Sequence, residues 1–312
     1  MNCRRLKKPK KHHDWLELRK KGLTGTDIAA IAGESPYESA LSVYANKLSM
    51  LPPKAENEAM AVGTFMEDPI TSLWLKRNPD AKVRKVPYVL QHQDHDWMLG
   101  NIDRHIIAPS EGVLEIKCVG PNAMRGWGSE DEPKIPTQYH LQVMWYLMVC
   151  GLRDCRIAAL LGGTQLIERV VTYDKEMAEA IMEISHQFWF DHIKKGVPPA
   201  IDDSQATTTA LSGMFANPQE RELVIPNLSP WLQRYDVVTA KIKELEKEKE
   251  GITNNLKAMI GDQCVVASCL DRSVSWKPTT TNRFDTKTFK TDYPALYERY
   301  TKPTTSRRLL VK

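Results

Sequence analysis

What this sequence lacks narrows it first. Its longest nearly unbroken apolar run, Val143 to Leu152, is ten residues, against the roughly 20 that a membrane-spanning helix needs. It has no CxxC pair, and no histidine cluster joins its six cysteines at 3, 118, 150, 155, 264 and 269. That spacing argues against a zinc site and against an iron–sulfur centre, which takes four thiolates. Buried free thiols in a reducing cytoplasm are the expectation that remains. The basic start is followed by Lys11-His12-His13-Asp14 and not by an apolar segment, so a cytoplasmic protein is expected over a secreted one. There is no internal repeat. With 26% charged and 8% aromatic residues over 312 positions, the composition is that of an ordinary globular chain able to bury a core.

Charge is present but uneven. The net charge is +4, yet residues 1–21 hold nine Lys and Arg against Asp14 and Glu17, a local +7 that leaves −3 for the rest. A basic arm on a near-neutral body suits a polyanion partner. Residues 1–13 are expected to be a basic flexible arm.

Periodicity places the elements. Thr24 or Thr26 is a plausible N-cap for a helix over Asp27 to Ala32, ended by Gly33. Residues 36–50 read as a short helix. Glu56 to Lys76 reads as a long one that Pro69 should bend or split. Strands are expected over Val83 to Gln91, Trp97 to Ile102, continued by Arg104 to Ala108, and Val113 to Val119. A Gly- and Pro-rich loop covers 120–136, and Thr137 to Cys150 is a helix. Two strands, Arg156 to Leu161 and Leu166 to Thr172, and a helix over Asp174 to Lys195 follow. This order predicts an α/β domain, a mixed central sheet flanked by helices, over residues 14–200. Residues 201–225 look like a linker, and 226–312 form a helical and strand appendage. In it, Trp231, Tyr235, Val238, Ile242, Leu245, Ile252, Leu256 and Met259 keep a 4-3-4-3 spacing broken only by Lys249. That seam is expected to pack on the main domain or a neighbouring subunit, and not to stand alone as a coiled coil.

One constellation carries chemistry. Asp103 follows a strand; eleven residues later comes Glu115-Ile116-Lys117 inside another. Alternation puts Glu115 and Lys117 on one face of that strand. Two carboxylates suit Mg²⁺, and a lysine beside them can orient water or offset developing charge. The same triplet also occurs on solvated hairpins, but here Val113-Leu114 and Cys118-Val119 flank it. A Glu and a Lys buried together need compensation, which a metal site offers. Glu67 lies on the preceding helix. Gln138, Gln142 and Tyr146 recur every four residues on the later helix and share a face, either as a buried hydrogen-bonding pair or as a polar stripe aimed at a phosphate.

Taken together, Gly63-x3-Glu67, Asp103, Glu115-Ile116-Lys117 and Gln142-x3-Tyr146 resemble the PD-(D/E)XK nuclease superfamily. More narrowly, they resemble the YqaJ-like viral recombinase family, to which the phage lambda exonuclease belongs. The opening Trp15, Leu18-Arg19, Leu23-Thr24-Gly25-Thr26-Asp27, Ile28 and Gly33 agree. The resemblance spans about residues 14–195; it departs at Ile102, where the superfamily often has proline. It implies a restriction-endonuclease-like core and an alkaline, Mg²⁺-dependent 5′-to-3′ double-strand DNA exonuclease, with Mn²⁺ able to substitute. Asp103, Glu115 and the Ile116 carbonyl would hold metal, with Glu67 supporting it through water. Lys117 would act on the nucleophilic water and Gln142 would orient the phosphate or Lys117, with Tyr146 and Gln138 in support. Arg19 and Thr26 fall where the family binds a 5′-phosphate, a role their donors suit, although Arg19 also reads as a plain surface arginine. A ring, usually a trimer, around duplex DNA, a single-strand annealing protein as partner and a phage origin complete what the resemblance implies. The rival readings are a structure- or sequence-selective endonuclease of the same superfamily and a catalytically inert DNA-binding scaffold.

Overall fold

The apolar flanks of Glu115 become the middle strand of a five-stranded sheet. The computed structural model describes residues 1–52, 57–219, 221–262, 265–303 and 307–311, in two units, Met1–Ala216 and Asn217–Lys312. The first unit opens with β1 (Cys3–Lys7), α1 (His12–Lys20), α2 (Gly25–Ile31), α3 (Ala40–Lys47) and α4 (Glu58–Arg77). Strands β2 (Lys82–Lys85), β3 (Tyr88–His92), β4 (Leu99–Gly100), β5 (Arg104–Ala108) and β6 (Gly112–Val119) follow. A 3₁₀ segment, Pro121–Trp127, leads to α5 (Thr137–Cys150), β7 (Asp154–Leu161), β8 (Gln165–Thr172) and α6 (Lys175–Gln187). The chain runs on from α6 as a π-helical turn, Phe188–Lys194, and then forms α7 (Gln205–Met214).

The main sheet has the order β2-β5-β6-β7-β8 and is antiparallel except at β6–β7. Parallel neighbours need a crossover, and α5 supplies it. Leu114 and Ile116 enter a small core with Ile70 and Trp74 of α4. Val113 and Val119 join a larger one with Val143, Trp145 and Leu147 of α5. The expected mixed sheet flanked by helices is therefore present, and the crossover helix is the one that carries Gln142.

Several expectations need correcting. The basic start is not a flexible arm: β1 pairs antiparallel with β3, Cys3 opposite His92 through Lys7 opposite Tyr88, and β3 also pairs with β4. Half-buried Cys3 and Leu6 anchor a strand whose other side chains are exposed. The linker expected over 201–225 contains α7, capped by Ser204 and tied to α3 by Thr207 Oγ1 donating to Ser39 Oγ at 2.8 Å. Gly213 lets it lie on Leu51, whose Cδ2 a Cβ there would meet at 2.7 Å. Pro69 does not split α4; the carbonyl it leaves without a helical donor is that of exposed Phe65. Of the thiols, Cys150 and Cys155 are buried, but Cys118 and Cys269 are exposed. Glu56, Glu220, Cys264 and Lys312 lie outside the described residues.

The second unit holds α8 (Ser229–Ile260), the hairpin β9 (Val266–Cys269) and β10 (Arg272–Ser275), and two short helices, α9 (Thr286–Asp292) and α10 (Pro294–Tyr300). The seam from Trp231 to Met259 lies along one unbroken helix, and its side chains are exposed. Among the described residues no helix is long and apolar enough to cross a membrane.

Candidate active site

β6 delivers Glu115 and Lys117 beneath α5. The Lys117 ammonium donates to Glu115 Oε1 at 2.7 Å and to Gln142 Oε1 at 3.1 Å. The Gln142 amide donates in turn to Glu115 Oε1 at 2.9 Å and lies 3.0 Å from the Tyr146 hydroxyl. Four side chains thus close one network. The other carboxylate comes from the turn before β5, where Asp103 Oδ2 accepts the Ile116 N–H at 2.8 Å. This bond ties the Asp103 carboxylate to the backbone of the strand that carries Glu115.

One atom in this network is left over. Glu115 is 2% exposed, and its Oε2 is buried with no hydrogen-bond partner. An unbonded buried carboxylate oxygen is costly and is the kind of ligand a hard cation takes. Asp103 is held well above the usual carboxylate range, first by burial and then by the Glu115 charge. Burial also raises Glu115, against the opposing pull of Lys117. Lys117 moves up as well: burial opposes its charge, but Glu115 and Asp103 outweigh it. The donor set is buried Glu115, with a free oxygen, and partly buried Asp103, which fits a divalent ion. Among the described residues no three His, Cys, Asp or Glu side chains gather tightly enough to hold an ion alone. Water and substrate oxygens would have to complete the shell, as is usual for Mg²⁺.

Glu67 does not join that network directly. Its Oε2 accepts from Arg104 Nη1 at 3.2 Å, while its charge acts on both Asp103 and Glu115. Arg104 is buried and also donates to the Asp103 carbonyl and to Asp68 Oδ1, each at 2.6 Å. It links α4 to the turn bearing Asp103. Gln138 stands one step away, next to Tyr139 in the chain. The Tyr139 ring lies 4.8 Å from the Lys117 ammonium and stacks on Trp127 at 5.4 Å. The sequence pattern singled out neither Arg104 nor Tyr139, the one directly after Asp103 and the other directly after Gln138.

A second cluster abuts the first. Arg19 Nη2 donates to Thr24 Oγ1 at 2.9 Å and to Thr26 Oγ1 at 3.0 Å, with its guanidinium carbon 4.8 Å from the Trp15 ring centre. Lys47 donates to the Arg19 carbonyl at 2.9 Å and to Asp27 Oδ2 at 2.7 Å. That Asp27 oxygen also accepts the Thr24 N–H at 2.7 Å and its hydroxyl at 2.9 Å. Burial by itself would raise Asp27, but Lys47 and Arg19 together bring it below its usual range. Gly25 sets the spacing to the metal-type cluster: a Cβ there would lie 2.8 Å from Tyr146 Cε1 and 3.0 Å from Gln142 Cγ. The missing side chain lets α2 press onto the face of α5 that holds Glu115 and Lys117.

The chain is similar to known proteins to different depths. Residues 14–153 match the YqaJ-like viral recombinase domain. The uncharacterized protein YqaJ of Bacillus subtilis (strain 168) is 29% identical over 305 residues, 96% of this chain and 93% of its own. Among solved structures, the alkaline exonuclease LHK-Exo from Laribacter hongkongensis is 16% identical, with a TM-score of 0.49 over 59% of this chain and 94% of its own. A phage-related exonuclease from Haemophilus somnus 129PT is 12% identical, with a TM-score of 0.42 over 56% and 96%. Arg19, Thr26, Glu67, Asp103, Glu115, Lys117, Gln142 and Tyr146 all fall inside residues 14–153, the span over which the chain is similar to the YqaJ-like viral recombinase domain.

Proposed function

We propose that this chain is a divalent-metal-dependent deoxyribonuclease that digests double-stranded DNA from 5′ ends and leaves 3′ single-stranded overhangs. The observation that carries the reading is the buried, unbonded Glu115 Oε2 beside Asp103, with the Lys117 ammonium bonded to the other Glu115 oxygen. Asp103, Glu115 and the Ile116 carbonyl would hold Mg²⁺, with Mn²⁺ able to substitute and Glu67 acting through water. When bound, the ion supplies Lewis-acid polarisation of the phosphodiester and a more acidic water.

The chain's own residues do the rest. Lys117 presents a fixed positive charge to the attacking water or a phosphate oxygen. Gln142 holds both Lys117 and Glu115, and Tyr146 holds Gln142, so neither charged group swings away when substrate arrives. Arg19 and Thr26 form a donor pair for the terminal 5′-phosphate, in which a guanidinium fork supplies charge and the Thr26 hydroxyl supplies direction, while buried Thr24 accepts from Arg19 and donates to Asp27 behind them. The family resemblance extends the proposal to a trimeric ring around the duplex, a single-strand annealing protein that receives the overhang, and a bacterial cytoplasm under phage control.

End-labelled linear duplex and covalently closed circles, each with and without Mg²⁺, test the reading. Linear DNA should be degraded from its 5′ ends only with the metal, and circles should stay closed. Opening of circles would replace the exonuclease with an endonuclease; digestion in EDTA would remove the metal from the account.

A further inference from the structure

Helix α8 carries an apolar stripe that stays open to solvent. Trp231 is 76% exposed, Leu245 62% and Met259 80%, with Tyr235, Ile242 and Ile252 each at half or more. The stripe spans 29 of the helix's 32 residues, about 42 Å at the α-helical rise. Such a face on an otherwise charged helix calls for a partner. In heptad terms Trp231, Val238, Leu245, Ile252 and Met259 occupy d positions, and Tyr235, Ile242, Lys249 and Leu256 occupy a positions.

We propose that this stripe docks on α8 of a second copy of the chain, with the two helices antiparallel. The charges choose the orientation. A parallel, in-register pair would set Lys249 against Lys249 in one desolvated layer and stack Tyr235 on Tyr235. Turning one helix about a centre at residue 247 gives the layers Tyr235–Met259, Val238–Leu256, Ile242–Ile252 and Leu245–Lys249, each made twice by the twofold axis. Lys249 then faces Leu245, whose neighbours Glu244, Glu246 and Glu248 are acidic. One lysine in the seam weakens the pairing and specifies its direction, the usual effect of a polar a residue. This contact involves no residue of the candidate active site and stands independently of the nuclease reading.

Cysteine pairing in the full-length protein tests it. Tyr235→Cys and Met259→Cys chains are purified separately, mixed, and equilibrated in a glutathione redox buffer, and the linked peptides are mapped by mass spectrometry. The antiparallel pairing predicts an intermolecular 235–259 disulfide in the mixture and none joining position 235 to itself. A 235–235 disulfide, or no linkage at either position, overturns the proposal. In parallel, Ile242→Asp combined with Leu245→Asp should lower the light-scattering mass roughly twofold with helix content retained. An unchanged mass also overturns the proposal.

Discussion

Arg19 sits between an indole face and two threonine hydroxyls, with the Lys47–Asp27 pair behind it. A phosphate monoester at a strand end carries more charge than an internal diester, so a guanidinium presented this way distinguishes an end from the middle. Arg19→Ala should abolish the preference for 5′-phosphate over 5′-hydroxyl duplex and shorten each digestion run, while the Asp103–Glu115 site still cuts. Paired-end kinetics check this; an unchanged preference would place the phosphate elsewhere. The chemistry at this scale was legible where a period carried it. Glu115 and Lys117 followed from strand alternation, and Gln142 and Tyr146 from the helical four-residue repeat. Thr24 was visible only as a helix cap, although its hydroxyl is as close to Arg19 as that of Thr26. Arg104 and Tyr139 were invisible because each works by reaching across to another element: Arg104 to Glu67 and Asp68 on α4, Tyr139 to Lys117 on β6.

Elements bring the two clusters together. Gly25 seats α2 on α5, and Asp27 fastens α2 to α3 through Lys47, whose side chain is only 5% exposed. Asp27→Ala would leave that ammonium buried without its anion and strip the Thr24 N–H of its acceptor. Losing one partner of a buried pair costs about 3–5 kcal/mol, so urea unfolding of this variant should show a loss of that order. A loss below roughly 1 kcal/mol would mean that the pair behaves like a surface one. The elements themselves divide by range. The main sheet and its long helices were legible because their patterns are local. β1 was not: it mixes charged and half-buried residues in five positions, and its partner β3 lies some eighty residues further on. α7 was hidden for a different reason. Thr207, Thr208 and Thr209 are weak helix formers, and the helix rests instead on a Ser204 cap, the Thr207–Ser39 bond and the approach at Gly213.

At the scale of the whole molecule, the chain joins one unit that holds every candidate catalytic residue to another whose long helix displays an open apolar seam. The basic start belongs to the first unit. Because β1 is paired into a sheet, exposed Arg4, Arg5 and Lys7 are presented from a fixed surface, where cations bind phosphates by releasing counterions. DNA binding and DNA cutting should therefore separate by residue: binding rests on the cations, while cutting needs Asp103 and Glu115. The most direct measurement is single-turnover digestion of 5′-phosphorylated linear duplex in Mg²⁺ by the wild type, Asp103→Asn and Glu115→Gln, with DNA affinity measured on the same preparations. Both variants should bind duplex as well as the wild type or better, having lost a negative charge, and should cut at least about a hundredfold more slowly, a barrier increase of roughly 2.7 kcal/mol. If either variant kept more than about a tenth of the wild-type rate, a change of only ~1.4 kcal/mol, Asp103 and Glu115 would not be the metal ligands, and the account of this site would fail.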